Sequence, residues 1–379
     1  MVAYAYPYII VAGLLTFFYI GECGRIKGLS PRKSINCAYL LMLVFIGLRG
    51  FVLTDFINYY DLYNNITPLS KLDLSNFVRV EPGVGLYTSL IKTIGFNYFG
   101  WVFINTLIDL IVFRYFFKNY SPSLVLPLIC MMAFQGILIE FNLYRNIKAI
   151  ELFLLSLPYL TKRKFIPYLL LNLIGLSFHN SAIIYIPLYF ILTIKINQII
   201  VWGIIAFTNI IYLCHISVIS DIINNISFMQ VLNGYEKLMN YAASSEDKTF
   251  SIGFFERTFA IILFTVFRKR LTQKHSYYNV FYNCYLIFYS SFLLFYEIPV
   301  FVQRIPALFS FSYWILYPGV IYLHYRWRQV INLSISLLLF LKIYASHADP
   351  FYKYENILWS NVDYQKAYNR TTILMNHIN

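Results

Sequence analysis

Twelve apolar runs separated by basic or polar turns constrain this chain more than any other feature. They fall at 3–20, 34–51, 99–116, 122–140, 146–160, 165–179, 181–195, 199–219, 251–267, 280–297, 305–323 and 329–345. A bilayer crossing takes about 20 apolar residues, so several runs lie near the lower length limit. Only 12% of the residues are charged, against about 25% in a soluble domain. Such a chain is neither a soluble enzyme nor a disordered polymer. The expected fold class is all-α: a polytopic integral membrane protein of about twelve transmembrane helices in a single domain, 1–379. The segment from Met1 to Ile20 lacks a basic leader and a small-residue cleavage site, and reads as a retained span.

Lysine and arginine set the orientation. Arg25, Lys27, Arg32 and Lys33 fill the first turn, Lys162, Arg163 and Lys164 another, and Arg268, Lys269, Arg270 and Lys274 a third. Arg114, Lys118, Lys195, Arg326 and Arg328 fall in turns of the same parity, and Glu22 is the only acid among these segments. This face is expected to be cytoplasmic, with both termini and the long connections 52–98, 220–250 and 346–379 outside. Residues 83–97 are apolar but short and carry Lys92. Counting them as a span would invert every later loop, so they read as a re-entrant or interfacial helix on the external face. The net charge of +13 thus speaks of membrane orientation, and nucleic acid is not an expected partner.

Three external arginines sit in apolar sequence at helix ends: Arg49 in FIGLRGFV, Arg145 in EFNLYRNIKA and Arg304 in IPVFVQRIPA. Intramembrane charge is expensive, so they are candidates for a shared anionic ligand, and arginine forks suit phosphate. The structural alternative is snorkelling to headgroups, or ion pairing with Glu140 or Glu297. Asp55 follows Arg49, Glu81 opens an EPG turn, and His179 stands at an outer turn in LSFHNSA. A histidine there serves as a general base, as a phosphate donor, or merely as a helix-end residue. Asp109, Glu151 and Glu256 are the mid-membrane acids, too few and scattered for a clear proton relay. His215 and His324 read as bland. Glu246 and Asp247 read as solvated loop. Five scattered cysteines make a disulfide framework or zinc site improbable. Nucleotide loops, HExxH, GxSxG and DxD are absent from the sequence, so no cofactor and no metal are expected.

The ordered segments GLRGFVLTDFINYYDLY, EPGVGLYTSLIKTIG, LYRNIKAIELFLLSLPYLTKRKF, LSFHNSA and QRIPALF resemble the EpsG-type branch of the Wzy O-antigen and polysaccharide polymerases. One departure is Asn146–Ile147–Lys148, where that family often has Gln and uncharged residues. The resemblance implies a multi-pass protein of the bacterial inner membrane, active on the periplasmic face. It implies transfer of a nascent glycan from polyprenyl diphosphate to the non-reducing end of a new lipid-linked repeat unit. On that reading the partners are the polyprenyl-diphosphate-linked oligosaccharide and membrane lipid, with a chain-length regulator and a flippase as candidate protein partners.

The site residues follow from the same reading. Arg145 and Arg304 are assigned to the diphosphate. Arg49 is assigned to the diphosphate or to holding Asp55, and Lys148 adds a fourth cation or faces headgroups. Asp55 and His179 are the candidate bases, His179 alternatively touching phosphate. Tyr59, Tyr60, Glu81 and Tyr352 are candidate sugar contacts, although interfacial tyrosines are common. Charge stabilisation by arginines would make the transfer metal-independent. The alternatives are a lipid-linked oligosaccharide flippase, an O-antigen ligase-like transferase, which lacks here its large external domain, and a metal-dependent GT-C glycosyltransferase, for which Asp55 stands alone.

Overall fold

The computed structural model describes residues 2–71, 80–216, 252–296, 304–323 and 326–376. The chain is all-α: among the described residues the only β-type pairing is an isolated bridge between Arg49 and Asn356. The expected features at 220–250, together with Glu246, Asp247, Glu297 and His324, lie outside the described residues. By internal contacts the chain divides into two compact units, one of residues 1–189 and 317–379, the other of residues 190–316.

In the first unit the helices are α1 (Val2–Glu22), α2 (Pro31–Gly47), α3 (Phe56–Asn65), α4 (Pro82–Thr93), α5 (Tyr98–Tyr120), α6 (Leu126–Ala133), α7 (Gly136–Asn142), α8 (Tyr144–Thr161) and α9 (Phe165–Phe178). Helix α10 (Tyr185–Ile191) ends this run. The second unit contains α11 (Gln198–Leu213), α12 (Ile252–Lys274) and α13 (Tyr278–Leu294). Helix α14 (Phe311–Ile321) leads back, and α15 (Arg328–His347) and α16 (Tyr364–Asn376) complete the first unit.

Local chemistry sets these boundaries. Ser30 caps α2 by accepting from the Lys33 amide, with Pro31 in the first turn, and Asn97 caps α5 by accepting from Gly100. Among the described residues three helices, Tyr4–Glu22, Tyr98–Tyr120 and Arg328–His347, are long and apolar enough to cross a membrane. Shorter apolar helices occupy 165–178, 180–191, 198–213 and 311–321. The chain is therefore helical with apolar membrane-span candidates, fewer of them long than the count of apolar runs suggests.

Three expected runs are interrupted, the one at 305–323 by a turn at 308–310 between helical stretches. The run 122–140 is split into α6 and α7, because Gln135 adopts a left-handed backbone with φ of 58°. The adjoining Gly136 admits this fold-back: a Cβ there would stand 2.6 Å from the Met131 carbonyl oxygen. The run 181–195 begins as a 3₁₀ turn, Asn180–Ile184, before α10. A helix does form at the expected 83–97 segment, as α4. Its twelve residues reach about 18 Å, well short of a hydrocarbon core of about 30 Å.

The described parts of two segments expected as external connections, 52–98 and 346–379, are themselves structured. In the tail, Arg370 donates to the Phe51 carbonyl at 2.9 Å and pairs with Glu355 at 2.8 Å. Tyr364 on α16 stacks on Tyr60 of α3, ring centroids 4.3 Å apart. Phe51, Phe56, Tyr59, Tyr98, Trp101 and Tyr144 close the space between them as a buried aromatic cluster. This cluster anchors α3, and through it the residues of the next section.

Candidate functional site

Most of the site residues expected from sequence lie in the first unit, and several converge on the first turn of α8. Leu143, at the N-cap, offers no side-chain cap to that helix, and its first turn lies at the positive end of the helix dipole. Arg145 sits in that turn. Its Nη1 donates to Glu81 Oε2 at 2.7 Å, and its side chain keeps 36% of its surface exposed, against 15% for Glu81. Nε of Arg145 is buried without a hydrogen-bond partner. The pair therefore joins α8 to the start of α4 while leaving one side of the guanidinium open.

Close packing brings Glu81 here. Gly83, in the first turn of α4, lies against the end of α9, where an added Cβ would meet the Ser177 carbonyl oxygen at 2.8 Å. A side chain at 83 would lift α4 away and draw Glu81 with it.

Tyr59 approaches Arg145 from α3. Its ring lies 4.6 Å from that of Tyr144, edge to face, and its hydroxyl feels the Arg145 charge. Burial pushes the Tyr59 phenol up to about 12, with Arg145 pulling it down and Asp55 pushing it up. Tyr59 is thus a neutral hydroxyl at physiological pH. Asp55, one turn earlier, is held by its backbone. Asn142 Oδ1 accepts from the Asp55 amide at 3.2 Å and from the Thr54 amide at 3.4 Å, while Nδ2 of Asn142 donates to Thr54 Oγ1. Thr54 Oγ1 in turn donates to Asp55 Oδ1 at 3.2 Å.

His179 ends α9 and opens the 3₁₀ turn beside α8. The Ser181 amide donates to its Nδ1 at 3.1 Å, and the Ser181 hydroxyl lies 2.7 Å from the same nitrogen. An N–H only donates, so Nδ1 is the acceptor and the neutral ring carries its proton on Nε2. Asn146 Nδ2 reaches Ser181 Oγ at 3.5 Å, linking this turn to the residue after Arg145.

Other expected site residues of the first unit are engaged elsewhere. Arg49 is 2% exposed. It donates to the carbonyls of Ile46 and Glu140 and to the Tyr144 hydroxyl, and lies 4.5 Å over the Phe141 ring. It braces the α7–α8 corner beneath Arg145. Lys148, expected as a fourth cation or at the headgroups, is buried. Its Nζ bonds Asp109, lies 3.4 Å from Glu151 and 3.4 Å from the Asn105 carbonyl. Two of the mid-membrane acids are therefore its counterions. Tyr60 belongs to the aromatic cluster through Tyr364 and Tyr98. Tyr352 packs with Tyr8 and His347, and its carbonyl accepts from the Tyr8 hydroxyl. Arg304 is exposed in the helical stretch 304–307 of the second unit.

The sequence reading does not single out Asn142, Tyr144 or Ser181. For Asn142 and Tyr144 the signal is their alternate spacing before Asn146 around Arg145 in FNLYRN, which becomes meaningful once α7 and α8 are seen to break at Leu143.

The described residues include no group of three or more His, Cys, Asp or Glu side chains placed to hold a metal ion. What surrounds the first turn of α8 is a partly exposed guanidinium and a neutral tyrosine hydroxyl, with Asp55 at the start of α3 and His179 in the turn linked through Ser181 to Asn146: a set suited to an anion beside a group that accepts a proton. No curated protein and no solved structure matches the chain. A model of the EpsG family matches residues 33–356, most of the length, and the chain belongs to the EpsG family.

Proposed function

We propose that this protein is a polysaccharide polymerase of the membrane, joining lipid-linked repeat units at the outer, periplasmic face. The EpsG family is linked to exopolysaccharide synthesis, and the observation that carries the finer reading is the convergence on α8 of Arg145, Glu81, Tyr59, Asp55 and His179. The donor is a glycan on polyprenyl diphosphate. Its C1–O bond to the diphosphate breaks as a hydroxyl of the acceptor repeat unit bonds to C1. The departing diphosphate takes the electron pair, and the acceptor hydroxyl gives up its proton.

Each group has a part in that step. Arg145 exchanges Glu81 for the diphosphate, whose charge also gains from the amides and dipole of the first turn of α8. The Tyr59 hydroxyl and His179 Nε2–H donate to the same oxygens. Because Nδ1 of His179 is taken by a backbone amide, the histidine suits phosphate contact, and Asp55 is the better base. Arg304, expected from sequence to meet the diphosphate as well, retains that assignment as part of the proposal. About twelve crossings with the termini outside would put these residues at the outer face.

A second reading has one observation in its favour. A lysine buried between two acids, as Lys148 is, is the sort of group found along ion-coupled transport paths, and suits a lipid-linked oligosaccharide flippase. Purified protein given a synthetic lipid-diphosphate repeat unit, with and without EDTA, separates the two. A ladder of products that persists in EDTA and is lost in Arg145→Ala supports the polymerase. Movement of the lipid across a liposome bilayer with no ladder overturns it in favour of the flippase.

A further inference from the structure

A basic cavity and an apolar groove meet at the opposite end of the first unit, and neither has a part in the transfer described above. The cavity, 970 Å³, is lined by Arg25 from the α1–α2 turn and by Arg326, Trp327, Arg328 and Asn332 around the start of α15. The groove, 400 Å³, runs between α1, α6 and α15 and is lined by Ile9, Gly13, Ile20, Ile129, Phe340 and Ile343. Ser336 lines both, so the two adjoin.

We propose that this composite is a binding site for an anionic glycerophospholipid, the phosphate held by the arginines and one acyl chain lying in the groove. Charge complementarity argues for the headgroup: three arginines converge, while Glu22, the carboxylate nearest Arg25 in sequence, is engaged by the Ser123 hydroxyl and the Leu124 and Val125 amides at the start of α6. Arginine-rich pockets between membrane helices on the cytoplasmic side suit lipid phosphates. Trp327, 63% exposed beside them, is the residue type that settles at headgroup level.

Length argues for the chain. From Ile20 to Ile9 the groove follows α1 for about 16 Å, close to the roughly 15 Å depth of one leaflet. An acyl chain of that leaflet fits, whereas a polyprenyl tail outruns it. The groove wall is open at Gly13, where an added Cβ would meet nothing within 4 Å.

The test uses full-length protein in detergent, delipidated and titrated with dioleoyl phosphatidylglycerol while native mass spectrometry counts bound lipid. One phosphatidylglycerol should bind in preference to phosphatidylcholine, and inorganic phosphate should neither bind nor compete. Replacing Arg25, Arg326 and Arg328 together by Ala should weaken binding about 100-fold, at about 1 kcal/mol for each basic residue. Gly13→Phe should weaken it about tenfold by filling the groove, while Gly13→Ala leaves it unchanged. Ser336→Phe blocks the junction from the other helix and keeps the test decisive if Gly13→Phe disturbs α1. Equal binding of phosphatidylcholine overturns the proposal. So does competition by inorganic phosphate, undiminished binding in both phenylalanine variants, or displacement by a polyprenyl monophosphate at lower concentration.

Discussion

Arg145 and Lys148 stand one turn apart on α8, each facing carboxylates, and their surroundings differ in nearly every respect. Arg145 is 36% exposed and pairs with one acid from another helix. Lys148 is 8% exposed and sits between Asp109 and Glu151, themselves almost sealed. A half-exposed pair gains little, so its partner is readily exchanged for a ligand. A buried cluster has given up solvation and holds together only as a set. One turn of helix thus separates a site able to receive an anion from a network that keeps the helix in place.

The largest effect tests the sealed end. Lys148→Met leaves buried carboxylates without their cation and should cost about 3–5 kcal/mol, read as an early melt of detergent-purified protein. A wild-type melting curve would mean that the acids are neutralised without it. Adding Asp109→Asn to that variant should restore part of the loss, since contacting residues do not behave additively.

At the open end the pattern should reverse. Arg145→Ala should lower polymer synthesis by about 10²–10³-fold, the scale of losing a donor to developing charge, while shifting stability by less than about 1 kcal/mol. Arg145→Lys should also be impaired, because a point charge does not replace a fork. Full activity of the lysine variant would reduce the role of Arg145 to charge alone.

Smaller changes probe what holds the two ends in register. Gly83→Ala forces α4 off the end of α9 and should cost about 1–3 kcal/mol, with a fall in activity as Glu81 and Tyr59 lose alignment. Glu81→Gln should change stability by at most about 1 kcal/mol. Because the competing carboxylate charge is gone, it should tighten binding of a lipid diphosphate, measured by titration. Weaker binding would make Glu81 a support for Arg145 and not its placeholder.

Much of the fold is legible in the residues. Apolar runs announce helices because backbone polar groups removed from water must bond within their own segment. Ser30, Pro31 and Asn97 mark helix starts for reasons local to each turn. The break inside 122–140 was not legible: Gln135 is an ordinary residue, and its left-handed backbone is imposed by the packing of Gly136 on Met131. The site divides the same way. Arg145, Glu81, Asp55 and His179 stood out as polar residues in apolar or turn sequence, whereas Asn142 acts through partners distant along the chain and Ser181 ties the neighbouring His179 to distant Asn146.

By itself, then, the sequence determined the all-helical class, the basic turns and the residue types able to meet an anion, since hydropathy and charge are properties of short segments. Tertiary structure decided which cations stay open and which are consumed. Arg49, Arg145 and Lys148 look alike in sequence, each a cation in a largely apolar stretch. Only packing gives Arg49 the Glu140 carbonyl, Lys148 its second acid in Asp109 and Arg145 one exchangeable partner. The physical reason is that solvation and pairing depend on what the other helices bring within a few ångströms, and no single segment of the chain carries that information.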